Sequence, residues 1–451
     1  MRFLGIEKTA GGALVVALLA AGALWGVQLA ARPQGAAARA FFEQGRDRFG
    51  DFRMPRVCAE WGYANDRQPR RDSCYPALGS LLVKPFPFKS GAWFAGLGAL
   101  LWAAAFLALA DGRKGLLPLA ACLVSAPMVF ALERGNPIVH AAAASLLFVA
   151  WHDAEARWKR GVAYVALAVA AALKIVPAVL GVLVLGRARR LDGGTGSWWR
   201  TCRGDGGVLA ALGALLFFVP FVWCGGCEGF AQWLRNAAEN ASAYVHSGAW
   251  GAVAIGRTAR SVMLHVDVTQ PWPGLGLERL VNAALGLGCL AVAVRGLWTG
   301  RSAGTADPTS GRNGTADPTS GRNGTADPTS GRNGTADPTS GRNGMADPAG
   351  GRNGTADRGD VLMLVTAALL LVPGNMHFYS GVYLLPVFAL RLREGMGWGE
   401  AACWFALLCP LQVPLGAGSL NRPLANLAFM ALLGGTLVRT FRADFKEEVR
   451  G

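Results

Sequence analysis

The chain has 451 residues, of which 52% are hydrophobic and only 16% are charged, and its net charge is +15. Soluble domains carry roughly 25% charged residues, so the composition argues against a soluble globular protein. Positive charge can indicate nucleic-acid binding, but in a membrane protein it is explained by basic cytoplasmic loops. We therefore expect an integral membrane protein that does not bind nucleic acid.

The first apolar run, from Thr9 to Ala31, has no ionisable side chain in 23 residues. About 20 helical residues cross a bilayer, so we predict a transmembrane helix here. A cleaved signal peptide is the alternative, because Arg2 and Lys8 precede the run. The run is longer than the usual apolar region of a signal peptide, about 7–15 residues, which favours the helix.

Further apolar runs bring the prediction to about twelve transmembrane segments, several of them short. This predicts an all-α polytopic membrane protein. The runs are Ala92–Ala110, Leu116–Leu132, Pro137–Trp151, Val162–Leu173, Ile175–Gly186, Val208–Trp223, Leu280–Trp298, Val361–Pro373, Gly381–Leu390, Ala401–Gly418 and Pro423–Val438.

The loops between these runs predict the orientation. With the N- and C-termini in the cytoplasm, almost all cytoplasmic loops are rich in Lys and Arg, as the positive-inside rule requires. This assignment needs a turning point at Lys174, with one short helix before it and another after it. A single helix through Val162–Gly186 would invert every later loop. We predict the broken helix, because such breaks are tolerated where they line a cavity.

Three regions follow from this topology. Residues 1–298 form an N-terminal membrane region with two outer loops, at 32–89 and 224–279, and we expect amphipathic helices in the second loop. Residues 299–359 form a cytoplasmic linker that includes five ten-residue units at 304–353. These units have almost no apolar side chains, which predicts disorder. Residues 360–451 contain the C-terminal helices and tail.

Ionisable groups at helix ends mark functional sites in membrane proteins. Four candidates fall on the predicted outer face: Asp51, the stretch Glu133–Asn136, Lys174 and His377. Each has a simpler explanation. Asp51 would be a solvated partner of nearby arginines, Lys174 would extend to the membrane interface, and His377 would be an ordinary histidine at a helix end. Asn136 would cap the helix that begins with Pro137.

The order of several short motifs resembles polyprenyl-phosphate-dependent membrane glycosyltransferases of the GT-C type, closest to glycosyltransferase family 87. An Asp follows the first helix, and Tyr75 begins a YPAL segment where the family has YPPL. An RGN motif ends at Asn136, where the family has GQ.N. An AALK..P segment contains Lys174, and a P…H..Y…LLP segment contains His377.

The resemblance implies a GT-C-like helical bundle that moves a sugar, mannose or similar, from a polyprenyl-phosphate donor to a lipid, glycan or protein hydroxyl on the outer side. Asp51 matches the family's first-loop aspartate and would be the general base, with Asp47 as its rival. We expect Asp51 to be an exposed loop carboxylate with little effect on stability. His377 would assist catalysis.

The departing phosphate needs positive charge or hydrogen-bond donors. Lys174 and His377 are the first candidates, followed by Arg134 and Tyr379, and Arg53 and Arg56 are further candidates because Arg binds phosphate in a bidentate manner. Asn136, Tyr75 and Glu133 are expected to bind substrate.

No DxD-like carboxylate pair lies on the predicted outer side, so no cofactor and no metal ion is required, although a divalent metal is not excluded. The expected location is the bacterial inner membrane. Two alternatives stay open at this point. One is a secondary transporter or lipid flippase, and the other is a glycan ligase or polymerase that uses diphosphate-linked donors.

Overall fold

A computed structural model of the chain describes residues 9–30, 49–63, 75–109, 115–186, 198–243, 250–256, 275–298, 358–373, 376–411, 414–415, 418–419 and 421–448. Asp47, the repeats at 304–353, and residues 257–274 of the second predicted outer loop lie outside these ranges. The prediction of a disordered linker and the boundaries of the three regions are therefore not tested.

The described chain is almost entirely helical. Its only strands are the two-residue antiparallel pair β1 (Pro414–Leu415) and β2 (Gly418–Ser419). Three 3₁₀ helices cover Val176–Val182, Val219–Cys224 and Phe378–Leu384. The α-helices are α1 (Ala10–Ala30), α2 (Gly50–Trp61), α3 (Ala77–Val83), α4 (Gly91–Leu109), α5 (Leu116–Leu123), α6 (Ala126–Arg134), α7 (Ile138–Trp151), α8 (Arg157–Leu173), α9 (183–186), α10 (Trp198–Phe218), α11 (Gly226–Ala243), α12 (251–256), α13 (Leu275–Trp298), α14 (Arg358–Leu371), α15 (Leu385–Glu394), α16 (Trp398–Leu408) and α17 (Asn421–Glu448).

Five of the described helices are long and apolar enough to cross a membrane: α1, α4, α10, α13 and α17. The pair α5 and α6, bent by 57°, makes a possible sixth. The predicted all-α membrane protein is confirmed at this level, whereas about twelve spans are not. Helix α14 is an example: its 14 residues are fewer than the about 20 that cross a bilayer, and every residue from Gly359 to Leu371 is buried within the bundle. Hydropathy does not separate burial in protein from burial in lipid.

The predicted break at Lys174 is present. Helix α8 ends at Leu173, Lys174 has an extended backbone, and the chain continues as a 3₁₀ helix with Pro177 near its start. Proline has no N–H for the helical ladder, so α8 cannot continue through it. A Cβ added to Gly181 would lie 3.7 Å from Leu167 of α8, which shows that the chain folds back along α8.

Exposed aromatic side chains mark two levels of the bundle. Trp61, Trp93 and Trp223 lie at the end that contains Asp51, called here the site end. Trp158, Trp298 and Trp398 lie at the other end, called here the opposite end. Tryptophans concentrate at both interfaces of membrane proteins, so the two levels support a bundle that crosses a bilayer.

A charged network closes the opposite end. Arg391 is buried and bonds to Glu400 at 2.8 Å and to Glu394 at 3.2 Å. Asp360 of α14 accepts a hydrogen bond from Arg439 of α17 at 2.7 Å. The network joins α14, α15, α16 and α17, and it fixes the helices that follow the repeats.

Candidate active site

The entry to α2 is locked against the turn that follows α6. Phe49 precedes α2 in the left-handed conformation (φ 57°), and its N–H donates to the carbonyl of Glu133 at 3.0 Å. A Cβ on Gly91 would lie 2.7 Å from the ring of Phe49, and a Cβ on Gly135 would lie 3.0 Å from Phe52. Gly135 also has a positive φ of 59°, which glycine adopts readily. These two glycines let α2 begin beside the turn.

This packing brings Asp51, in the first turn of α2, onto the end of α6. Arg134 donates to both carboxylate oxygens, from Nε to Oδ2 at 3.0 Å and from an Nη to Oδ1 at 2.5 Å. Asn136 donates from Nδ2 to Oδ2 at 2.6 Å. Asp51 is only 4% exposed. The expectation of an exposed loop carboxylate is therefore wrong, because residues 50–61 of the first predicted loop form helix α2, which packs on the bundle.

Asn136 has two functions in this arrangement. Its Oδ1 accepts the N–H of Ile138 at 2.9 Å, at the start of α7, while its Nδ2 holds Asp51. An amide can do both because it carries a donor and an acceptor. The capping explanation is confirmed, whereas substrate binding by Asn136 stays a prediction.

Asp51 is ionised at neutral pH. Burial by itself raises the pKa of its carboxyl group, but the hydrogen bond and charge of Arg134, followed by the charge of Lys174, lower the pKa below its usual value. A carboxylate has about four lone-pair sites, and three are used by Arg134 and Asn136. Oδ1 keeps one site for a further donor.

Lys174 lies at the break after α8, and its Nζ is 4.1 Å from the centre of the Tyr75 ring. This is a cation–π contact, and it fixes the side chain at the level of the site instead of letting it extend to the interface. Tyr75 is held in turn, since its carbonyl accepts a hydrogen bond from the hydroxyl of Tyr63 at 2.7 Å.

His377 precedes the 3₁₀ helix Phe378–Leu384, and its ring stacks on Tyr379 with the centroids 5.2 Å apart. The pKa of His377 is lowered to about 4, chiefly by burial. The negative charge of Asp51 raises this pKa, whereas the positive charges of Arg134, Lys174 and Arg422 lower it. The imidazole is therefore neutral at pH 7. It can donate a hydrogen bond to a phosphate oxygen, but it does not supply a positive charge.

The structure thus brings together six of the predicted site residues: Asp51, Arg134, Asn136, Lys174, Tyr75 and His377, with Tyr379 behind the histidine. Arg53 lies on the exposed side of α2. Arg56 binds the carbonyl of Lys84 at 2.7 Å and pairs with Glu60. Glu133 supports the site through its backbone carbonyl. The roles of these residues stay predictions.

Sequence reasoning missed two neighbours of His377. The indole N–H of Trp250 donates to the carbonyl of His377 at 3.2 Å. The backbone around Trp250 is held by Asn282 and Asn426, which bond to the main chain of residues 250–252. Arg422, at the start of α17, acts electrostatically on His377. The polar residues Asn282 and Asn426 inside apolar helices were the available signal.

Among the described residues, no group of three His, Cys, Asp or Glu side chains is placed to hold a metal ion. The need for a metal stays an open prediction, which chelation in a transfer assay would test.

The model of glycosyltransferase family 87 matches residues 74–310, slightly more than half of the chain. The match includes Tyr75, Arg134, Asn136 and Lys174, whereas Asp51 and His377 lie outside it. No curated protein and no solved structure matches the chain. The family match and the long apolar helices agree: the chain is an integral membrane glycosyltransferase and belongs to glycosyltransferase family 87.

Proposed function

We propose that the protein transfers a sugar, mannose or a similar one, from a polyprenyl-phosphate donor to a hydroxyl of a lipid, glycan or protein. Asp51 acts as the general base. The observation that carries the proposal is the ionised carboxylate of Asp51, buried at helix ends among Arg134, Lys174 and His377. Buried charges at such positions are costly, and in membrane proteins they mark functional sites.

Asp51 has the chemistry that attack by an alcohol needs. The acceptor oxygen bonds to the anomeric carbon of the sugar while the bond from that carbon to the phosphate oxygen breaks. The hydroxyl proton passes to Asp51, and the departing polyprenyl phosphate keeps the electron pair of the broken bond. Oδ1 can accept this hydroxyl, because one of its lone pairs is unused.

The pairing with Arg134 makes Asp51 a weak base until the donor binds. A phosphate competes for the guanidinium of Arg134, since Arg binds phosphates and carboxylates with the same bidentate geometry. As Arg134 turns to the phosphate, the pKa of Asp51 rises toward its usual value and the carboxylate is better able to take a proton. Donor binding and activation of the base are thus coupled.

The leaving phosphate meets three groups from separate elements. Lys174 supplies a fixed positive charge, Arg134 supplies a second one, and the neutral ring of His377 supplies a hydrogen bond. Such preorganised donors typically lower the barrier more than any other single factor. Arg53 and Tyr379 are further candidates at the periphery of this group.

We place the reaction on the outer side of the bacterial plasma membrane, with both chain termini in the cytoplasm. The positive-inside rule supports this orientation, because most loops assigned to the cytoplasm are rich in Lys and Arg, with five Arg in residues 187–205. A lipid-linked donor also fits an outer site, where nucleotide sugars are absent.

The test is sugar transfer by purified protein in lipid nanodiscs with polyprenyl-phosphate and polyprenyl-diphosphate donors. Transfer from the monophosphate by wild type, strongly reduced in Asp51→Asn, is expected. Glu60→Gln is the matched control, since Glu60 lies on the same helix and also pairs with an arginine. Transfer only from the diphosphate donor would favour the glycan ligase or polymerase, and equal transfer by both variants would overturn the role of Asp51.

A further inference from the structure

A buried hydrogen-bond network joins α11 to Tyr63, just after the end of α2. Asn236 of α11 donates from Nδ2 to the carbonyl of Tyr63 at 3.1 Å, and its Oδ1 accepts from Nε2 of Gln232 at 2.8 Å. Oε1 of Gln232 accepts from Arg235, at 3.1 Å from Nε and 2.7 Å from an Nη. Asn236 is fully buried and Tyr63 is 2% exposed. Buried polar groups need such partners, so the network fixes α11 against the end of α2.

The direction of this network is set by Arg235. An arginine side chain can only donate, so the oxygen of Gln232 faces Arg235 and the NH2 group of Gln232 faces Asn236. The oxygen of Asn236 is then used by Gln232, which leaves the NH2 group of Asn236 for the carbonyl of Tyr63. One exposed arginine thus orients two buried amides.

Tyr63 connects the network to the candidate active site. Its hydroxyl donates to the carbonyl of Tyr75 at 2.7 Å and lies 3.3 Å from Oγ of Ser80. The single O–H of Tyr63 is used by Tyr75, so Ser80 is the donor in the second contact. The ring of Tyr75 lies 4.1 Å from Nζ of Lys174. A continuous series of contacts therefore runs from α11 to the lysine at the break after α8.

The side chains around Tyr63 hold it in place. Its ring packs on Phe221 with the centroids 5.8 Å apart, and Trp233 of α11 belongs to the same buried cluster. Helix α3 lies against the end of α8, since a Cβ added to Gly79 would lie 3.6 Å from the carbonyl of Leu173. A shift of Tyr63 would therefore be passed on to the end of α8.

We propose that Tyr63 and Asn236 are positioning residues for Lys174, so that α11 fixes the location of this positive charge. The inference rests on the proposed function, in which Lys174 stabilises the departing phosphate. The ammonium group of a lysine is carried on a flexible stem, and a charge that is already in place needs no reorganisation during the reaction. The ring of Tyr75 provides that place, and Tyr63 and Asn236 hold the ring. Neither of these two residues has to contact the substrate.

Two variants test the network at its two ends. Tyr63→Phe removes the donor to Tyr75 and keeps the ring. Gln232→Glu keeps an acceptor for Arg235 but removes the donor to Asn236. The amide of Asn236 then turns and presents its oxygen to the carbonyl of Tyr63. We expect kcat for sugar transfer to fall about 10–100-fold in each variant, with a smaller change in KM for the donor.

Gln232→Glu separates positioning from stability. Its new ion pair with Arg235 offsets the lost hydrogen bond, so the melting temperature in nanodiscs should change little while kcat falls. Asn240→Asp is the matched control, because it makes the same change from amide to carboxylate further along α11, and it should match wild type. An unchanged kcat in Gln232→Glu, or an equal loss in Asn240→Asp, would overturn the proposal.

A double-mutant cycle tests whether the effect passes through Lys174. Lys174→Met removes the charge that the network positions, so adding Tyr63→Phe to it should lower kcat no further. Residues that act as one unit are non-additive in this way. A full additional loss in the double variant would show that Tyr63 acts elsewhere and would overturn the proposal.

Chemical labelling of Lys174 gives a readout that needs no transfer. Lys174 is half-buried and held on the ring of Tyr75, so its acetylation by acetic anhydride, followed by mass spectrometry, should be slow in wild type. Acetylation should be several-fold faster in Tyr63→Phe and unchanged in Asn240→Asp. Equal rates in Tyr63→Phe and wild type would overturn the proposal.

The labelling also separates this proposal from the proposed function. If wild type transfers no sugar but Tyr63→Phe increases the labelling of Lys174, the proposed function fails while the positioning network stands. If wild type transfers sugar but Tyr63→Phe changes neither labelling nor kcat, the positioning network fails while the proposed function stands.

Discussion

Asp51→Asn is the most informative single change, because it removes one charge from a buried pair and tests catalysis and stability together. Asp51 accepts two hydrogen bonds from Arg134 and one from Asn136, and it is only 4% exposed. Loss of one partner from a buried ion pair costs about 3–5 kcal/mol. We expect the lower end, about 3 kcal/mol, since asparagine still accepts a hydrogen bond and Arg134 keeps some contact with solvent.

Loss of a general base lowers the rate by about 10²–10⁴-fold. Transfer should therefore fall in that range, and the melting temperature in nanodiscs should fall as well. The double variant Asp51→Asn with Arg134→Gln separates the two effects, because no buried charge then lacks its partner. It should recover much of the lost thermal stability without recovering transfer.

The measurements are initial transfer rates and thermal unfolding for wild type, the two single variants and the double variant. If the double variant recovered transfer along with stability, Asp51 would have only a structural role. Transfer by stable Asp51→Asn within a few-fold of wild type would refute the reasoning directly and make Asp47 the next candidate.

Four other measurements test separate parts of the structure. Because the folded-state pKa of Asp51 is below its usual value, the stability from its ion pair is present above the unfolded pKa of about 3.9 and is lost as pH falls through the lower folded value. The carboxylate of Asp51 also stays ionised between about pH 5 and 8, so protonation of Asp51 should not lower kcat/KM in this range. A decrease of kcat/KM below about pH 6 that is absent in Asp51→Asn would contradict this. Lys174→Met should lower kcat by about 10²–10³-fold and Lys174→Arg by less, whereas equal losses would argue against a charge role. Trp250→Phe removes the donor to the His377 carbonyl and leaves space where the larger indole packs in the core, so kcat should fall several-fold and the melting temperature should fall as well. An unchanged kcat would show that this hydrogen bond does not position the site. Deletion of 304–353 should leave transfer largely intact, and its complete loss would show that the repeats are more than a linker.

Local sequence signals predicted the helices and their breaks well. The uncharged run after Thr9 forms α1, and the proline at 177 stops α8 after Leu173. These features depend on residues within one or two turns of each other, which is the range over which hydropathy and backbone chemistry act. The number of spans was less predictable, since buried helices such as α14 are as apolar as helices that face lipid.

The pairing within the site was decided by tertiary structure. Asp51 and Arg134 are 83 residues apart, and Trp250 and His377 are 127 apart. A motif identifies residue types, but their contact depends on how α2 packs on α6 and on the two glycines that allow it. The sequence therefore determined an apolar, helical chain with charges at particular helix ends, because composition and periodicity are local. Only packing decided that Asp51 is buried, paired and held beside Lys174 and His377, because contacts between distant elements follow from the three-dimensional arrangement of the helices.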